Sequence, residues 1–88
     1  MTPERLDLAG ADRLVSLVGE VAVVRSPRPL PVGRRVDISL GPDAGPPVEG
    51  KIIDIARGRD DFRLRVRIHS LPRARREALA GLLPTDDR

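Results

Sequence analysis

The clearest pattern in the chain is an alternation of apolar and basic residues between positions 62 and 69. The apolar set is Phe62, Leu64, Val66 and Ile68, and the basic set is Arg63, Arg65, Arg67 and His69. Successive side chains of a strand point to opposite faces. The pattern therefore predicts a strand with one face in the core, including the ring of Phe62, and one cationic face.

A short amphipathic helix is predicted directly after this strand. Its apolar positions recur at helical spacing and are Leu71, Ala78, Leu79, Leu82 and Leu83. Pro72 suits the first helical turn, where its missing N–H costs nothing, and Pro84 stops the helix. We expect the three leucines at 79, 82 and 83 to cover the apolar face of a curled sheet.

Four further strands are predicted upstream from alternation and from β-branched residues. They are expected near 13–17, 20–25, 34–40 and 48–56. A turn or bulge near Gly19 separates the first two. Three prolines between 26 and 31 predict an extended connector, and 41–47 predicts a mobile hairpin tip. Residues 1–11 are compatible with a helical turn or an extended segment.

The strand near 48–56 contains an irregular apolar pattern. Ile53 and Ile55 are assigned to one face and Ile52 to the other, with a bulge near Gly50. The next turn, 57–60, leads into the alternating strand. Short connections between successive strands predict an antiparallel sheet. The predicted fold is mainly β, a small antiparallel β-barrel of five to six strands with one C-terminal α-helix. Its domain spans 12–83, after an N-terminal segment 1–11 and before a tail 84–88.

Composition indicates one small aliphatic domain. The chain has 88 residues, is 40% hydrophobic, and has Phe62 as its only aromatic residue. It has no cysteine, which excludes disulfides and thiol catalysis. The sequence shows no signal-peptide pattern and no apolar run of about 20 residues, the length that a membrane-spanning helix needs. We therefore expect a soluble cytoplasmic protein, and the preference for arginine over lysine suggests a GC-rich bacterial source.

Three segments, taken in their order and spacing, suggest a family. They are Leu30-Pro31-Val32-Gly33 followed by Val36, Ile38 and Leu40; Gly50-Lys51-Ile52-Ile53; and Arg65-Val66-Arg67-Ile68 with Leu71, Arg76 and Leu79. Together they resemble the PilZ domain, a small bacterial β-barrel with a C-terminal helix that commonly binds cyclic di-GMP. The resemblance extends over roughly residues 14–83.

The ligand motifs of that family are damaged here. Ser16 and Gly19 stand at the serine and glycine positions of a D/N-x-S-x-x-G motif, but Leu14 replaces its first residue. An upstream R-x-x-x-R motif is missing, since Arg5 and Arg13 have the wrong spacing. Paired arginines would bind guanine edges and phosphates in bidentate fashion. The resemblance therefore implies a degenerate member with weakened cyclic di-GMP binding.

Three other matches to these motifs are interpreted as chance. The stretch 37–41 has its glycine one residue early and lies on a later strand. Arg59 with Arg63, and Arg63 with Arg67, satisfy R-x-x-x-R, but a chain with fifteen arginines is expected to contain such pairs.

The basic face of the alternating strand is the candidate anion-binding or protein-binding patch. Its residues, with those expected to extend it, are Arg57, Arg59, Arg63, Arg65, Arg67, Arg73 and Arg76. The competing interpretation is an ordinary solvated strand face paired with cross-strand Asp54 or Glu49. Each such pair would contribute a few tenths of a kcal/mol, to about 1 kcal/mol at most.

Other chemistries find little support in the sequence. His69 is the only histidine and has no cysteine or second histidine to complete a metal site. Ser70 beside it does not make a catalytic dyad, because catalysis also needs a third orienting group. We therefore expect no enzyme, no metal and no cofactor. A net charge of +3 with thirteen interspersed carboxylates is not typical of a DNA-binding protein.

Three functional hypotheses follow. The first is a non-enzymatic PilZ-like regulatory or adaptor domain that acts through protein–protein contacts in bacterial signalling or motility, without membrane insertion. A small barrel offers a strand edge or groove to a partner, and self-association would also bury more surface.

The alternative is a cyclic di-GMP receptor with a non-standard site at Arg13, Ser16 and Gly19. The third is a basic nucleic-acid-binding barrel, which the single core-facing Phe62 disfavours because stacking needs exposed rings.

Overall fold

The computed structural model describes residues 4–41, 45–69 and 71–83, which form one curled sheet and a short helix. The strands are β1 (Glu4–Asp7), β2 (Arg13–Val18), β3 (Val21–Ser26), β4 (Arg35–Ser39), β5 (Val48–Arg57) and β6 (Phe62–Ile68), and the helix is α1 (Arg73–Ala80). The strand order is β1-β4-β5-β6-β3-β2. The expected small β-barrel with one C-terminal helix is confirmed, as a half-barrel.

The sheet is mixed, which corrects the expectation of a purely antiparallel one. Four strand pairs are antiparallel, and β1 pairs with β4 in parallel, with Leu6 opposite Ile38. Short connections force an antiparallel pair, as between β2 and β3. Two whole strands separate β1 from β4 along the chain, so no short turn fixes their relative direction.

The core lies on the concave side of the sheet. Leu64, Val66 and Ile68 of β6 are at most 1% exposed, so the predicted inward face of this strand is confirmed. Phe62 is partly buried and packs against the same core. The arginines between these residues are exposed, as alternation requires.

The helix covers the core with fewer residues than expected. Leu79 is fully buried, and Leu71 and Leu83 pack against the core from partly buried positions. Leu82 is 38% exposed, so its assignment to the covering stripe was wrong. The helix ends at Ala80, one residue before Gly81, and Leu82 therefore lies beyond the helical periodicity.

Two β-bulges change which side chains face the core. The register of β5 shifts between Ile52 and Asp54, which makes Ile53 the extra residue. Ile53 is 39% exposed, whereas Ile55 packs against the core, so the prediction that they share a face was wrong. The bulge lies at 53 and not near Gly50. A second bulge in β2 falls between residues 14 and 16.

Residues 4–7, left open by the sequence, form an edge strand with Leu6 fully buried. The sheet therefore begins before the boundary drawn at residue 12. Asp12 holds the following turn, because its buried carboxylate accepts the backbone N–H of Asp7 at 2.7 Å. The β2–β3 hairpin turns at Gly19 with a φ of 62°, a conformation that favours glycine. The expected hairpin tip falls largely on 42–44, outside the described residues, as does the tail 84–88.

Candidate functional site

The convex side of the sheet brings together seven of the fifteen arginine and lysine residues that the structure describes. We call the outward side chains on three cross-strand rungs of β2 to β6 the arginine face. They are Arg13, Ser16, Val18, Val21, Val23, Arg25, Arg35, Lys51, Asp54, Ala56, Arg63, Arg65 and Arg67. Strand pairing arranges them in three rungs that cross the sheet, and the outward Asp37 and Glu49 lie beyond these rungs.

The first rung places three arginines side by side. Arg13 lies opposite Arg25, and Arg25 lies opposite Arg63. Neighbouring strands are about 4.8 Å apart, so these guanidinium groups start from closely spaced backbones. Asp61, at the start of the strand, reaches Arg25 with an Oδ2–Nε distance of 3.1 Å. Like charges directly opposite each other are destabilising, and one carboxylate compensates only part of this rung.

The second rung runs through the middle of the face. Ser16 lies opposite Val23, which lies opposite Arg65, and Arg65 in turn lies opposite Asp54. The Asp54 carboxylate accepts the backbone N–H of Ile55 at 2.9 Å. Within the described residues Asp54 and Arg65 form no ion pair, although they face each other across the strands.

The third rung combines apolar and basic groups. Val18 and Val21 are followed across the sheet by Arg67, Lys51 and Arg35. Val18 is 76% exposed, which is high for a valine in a strand. This end of the face therefore offers three cations beside an aliphatic surface.

An acidic rung borders the face beyond the third rung. Glu49 lies opposite Asp37, and Asp37 lies opposite Arg5. Of the two carboxylates named for an ordinary paired face, Asp54 therefore lies opposite an arginine of β6, whereas Glu49 does not. Among the residues that the structure describes, none of Arg63, Arg65 and Arg67 takes part in an ion pair.

A depression of about 300 Å³ opens where the two bulges approach the middle of the face. It is lined by Val15, Ser16, Val23, Asp54, Ala56, Arg63 and Arg65. A second depression of about 410 Å³ lies at the β5–β6 hairpin, where Arg57 and Arg59 come together with Arg63. These two arginines therefore lie beside the hairpin end of the face.

The helix arginines lie elsewhere. Arg73 and Arg76 belong to α1, which buries Leu79 in the core on the concave side. Arg73 Nε is 3.6 Å from Glu77 Oε1 in an exposed i,i+4 pair. Neither Arg73 nor Arg76 lines the depressions at Arg63 and Arg65, so their assignment to the same patch as the β6 arginines is corrected.

The residues of the damaged ligand motif are only partly brought together. Arg13 and Ser16 both point outward from β2, on the first and second rungs. Gly19 lies past the third rung in the hairpin turn, where a Cβ would meet nothing within 4 Å. Of the chance motif matches, Asp37 lies on the acidic rung, and Arg63 and Arg67 share the arginine face at its two ends.

Sequence reasoning missed three basic residues of the face, Arg25, Arg35 and Lys51. Alternation within each strand could have predicted that they point outward, because the neighbouring Val24, Val36 and Ile52 point into the core and are buried. Their position relative to β6 depends also on the order of the strands in the sheet, and no local sequence pattern predicts that order.

His69 lies at the edge of the face, where it lines a depression of about 580 Å³ together with Arg67 and Lys51. It also lines a depression of about 460 Å³ that contains Asp37, Glu49 and several prolines. In the described parts of the chain, no cluster of three or more His, Cys, Asp or Glu side chains is suited to a metal ion. None of the described helices has the length and apolar character that crossing a membrane requires.

Comparison with protein-family models, curated proteins and solved structures finds no match to this chain. The PilZ resemblance therefore stays a prediction that rests on the residues quoted for it. The fold and the arrangement of the arginine face are independent of it.

Proposed function

We propose that this chain is a non-enzymatic, PilZ-like regulatory or adaptor domain that acts through protein–protein contacts in the cytoplasm of a bacterium, in signalling or motility. In this proposal the cyclic di-GMP binding typical of the family has been lost. The sequence supports the loss, since Leu14 replaces the acidic or amide residue of one motif and the other motif is missing.

The observation that carries the proposal is the unpaired state of the arginines on β6. Arg63, Arg65 and Arg67 are exposed, and none of them is in an ion pair within the described residues. Cross-strand carboxylates would compensate these charges, and each exposed pair would contribute up to about 1 kcal/mol. Arginine is enriched at protein interfaces because its planar group makes several directed hydrogen bonds.

Affinity capture from the source organism tests the proposal. The tagged domain is expected to retain a specific protein, whereas a variant carrying Arg63→Ala, Arg65→Ala and Arg67→Ala serves as the matched bait. Retention of no specific protein by the wild-type domain would contradict the proposal. A partner held equally by both baits would support a contact function at another surface.

A cyclic di-GMP receptor is the second candidate, and a specific observation favours it. Arg13 and Ser16 point to the same side of β2, and Ser16 lines the central depression together with Arg63 and Arg65. These groups supply hydrogen-bond donors and positive charge suited to phosphates. Titration calorimetry with cyclic di-GMP separates the candidates: micromolar or tighter binding that Arg13→Ala abolishes supports the receptor, and no heat of binding retires it.

A further inference from the structure

We propose that the arginine face binds an extended acidic segment of a partner protein, laid along β6 with carboxylates at alternate positions. The inference rests on the proposed protein-contact function and adds to it the surface and the chemistry of the partner. Charge, spacing and the apolar groups on the face each support it.

The charge of the face is strongly one-sided. Seven basic residues share it with Asp54 and the adjoining Asp61, and Asp61 is already paired with Arg25. The three rungs thus have an excess of five positive charges, which falls to three when the bordering Asp37 and Glu49 are counted with them. The face therefore attracts an acidic partner, and it disfavours a second copy packed face to face because like charges would meet.

The spacing along β6 fits an extended polypeptide. Arg63, Arg65 and Arg67 are two residues apart in a strand, which separates them by about 6.7 Å. An extended segment has the same two-residue period, so acidic residues at alternate positions would meet all three arginines in register. A helical segment places carboxylates four residues apart at a similar axial distance of about 6.0 Å, but each step also rotates by about 40° around the axis. It therefore meets a straight row of three arginines less well than an extended segment does.

The groups between the arginines favour a polypeptide over a polyphosphate. Val21 and Val23 lie directly beside Arg67 and Arg65, and Ile53 is exposed on the neighbouring strand. They offer apolar contact to the methylene groups of glutamate. Asp54, opposite Arg65, would repel a uniformly anionic strand. In the described residues no aromatic ring is available to stack a base, since Phe62 packs against the core.

The binding test uses two fluorescein-labelled peptides of equal composition, ESESESE and EEEESSS, and a short oligothymidylate. Fluorescence anisotropy at about 50 mM salt, where screening is weak, measures their affinities for the full chain. The alternating peptide is expected to bind more tightly than the block peptide. Arg65→Ala with Arg67→Ala is expected to weaken it about five- to tenfold, as for the loss of two exposed charge contacts.

Arg73→Ala with Arg76→Ala is the matched control, because it removes the same charge from two residues of α1 that line neither of the depressions at Arg63 and Arg65. It is expected to change the affinity by less than about twofold. Far-UV circular dichroism checks that both variants fold. If the face variant does not fold, Lys51→Ala with Arg67→Ala takes its place with the same expectation.

The inference would be overturned by an equal loss of affinity in face and control variants, or by tighter binding of oligothymidylate than of ESESESE. Failure of ESESESE to bind would also overturn it, while a partner captured by the wild-type domain would still support the proposed function. Conversely, peptide binding with no captured partner would contradict the proposed function and leave the charge selectivity of the face established.

Discussion

The two faces of strand β6 differ completely in their burial. On the concave side Leu64, Val66 and Ile68 are almost completely buried beneath neighbouring strands and α1. On the convex side the arginines between them have no covering layer and no ion pairs within the described structure. Alternation alone produces this contrast, because a strand sends neighbouring residues to opposite sides.

This difference in burial distinguishes the residues that stabilise the fold from those that are exposed and available for binding. Burial of one large aliphatic side chain contributes about 1.5–3 kcal/mol, whereas an exposed charge contact contributes about 1 kcal/mol or less. The first rung even places Arg13, Arg25 and Arg63 abreast, at a cost to stability. Stability does not explain such a rung, whereas the proposed binding of an anionic partner would.

The largest effect is expected on the concave side, at the helix. Leu79→Ala removes a fully buried side chain and is expected to lower the free energy of unfolding by about 2–5 kcal/mol. Urea denaturation followed by far-UV circular dichroism measures it, because the chain lacks tryptophan and tyrosine. Leu82→Ala is the matched control, and its 38% exposed side chain should cost less than about 1 kcal/mol. Equal costs would show that α1 does not cover the core as described.

A smaller but substantial effect is expected where strands β5 and β6 approach each other. A Cβ at Gly50 would lie 2.6 Å from Val66 Cγ1 and 3.0 Å from the Arg67 carbonyl oxygen. Gly50→Ala is therefore expected to cost about 1–3 kcal/mol through overpacking. At Gly81, where φ is −67° and the nearest atoms are 3.5 Å from a built Cβ, alanine should be neutral or stabilise by about 0.5 kcal/mol.

The same urea titration measures both glycine variants. A neutral Gly50→Ala would mean that the buried pair of strands has room at this position. The contrast between a tightly packed concave face and an unconstrained convex face would then be weaker than the structure indicates.

The sequence predicted the concave side of β6 well because its pattern is local and one face is buried. The hairpin at Gly19 and the turn at 57–60 were likewise predicted from turn residues that leave few alternatives. The parallel pairing of β1 was not predicted, since the alignment of Leu6 with Ile38 is set by tertiary packing between segments distant in sequence.

The candidate site was predicted only along β6. Its arginines follow from alternation, but Arg25 joins them because β3 pairs with β6, and Lys51 joins from β5. Ile53 was assigned to the wrong group because one bulge residue reverses the alternation. Arg73 and Arg76 were assigned to the patch by charge alone, although the helix lies on the other side of the sheet.

Replacement of side chains by alanine should affect stability much less on the convex side of the sheet than on the concave side. Replacing Arg63, Arg65 and Arg67 together by alanine is expected to change the free energy of unfolding by less than about 1 kcal/mol, because exposed side chains without ion pairs contribute little. Urea denaturation of this variant measures the change. A loss comparable to that of Leu79→Ala would show that these arginines support the fold and would remove the basis for assigning them to binding.

The smallest expected effects concern two single substitutions at the first rung, each of which removes one charge. They are expected to change the free energy of unfolding in opposite directions. Arg63→Gln removes a cation that faces Arg25 and is expected to stabilise the fold by a few tenths of a kcal/mol, up to about 0.5. Asp61→Asn removes the carboxylate paired with Arg25 at 3.1 Å and is expected to destabilise it by a similar amount. Both shifts should shrink at high salt, where exposed charges are screened. If Arg63→Gln is instead destabilising at low salt, the rung serves the fold, and the excess of positive charge needs no partner to explain it.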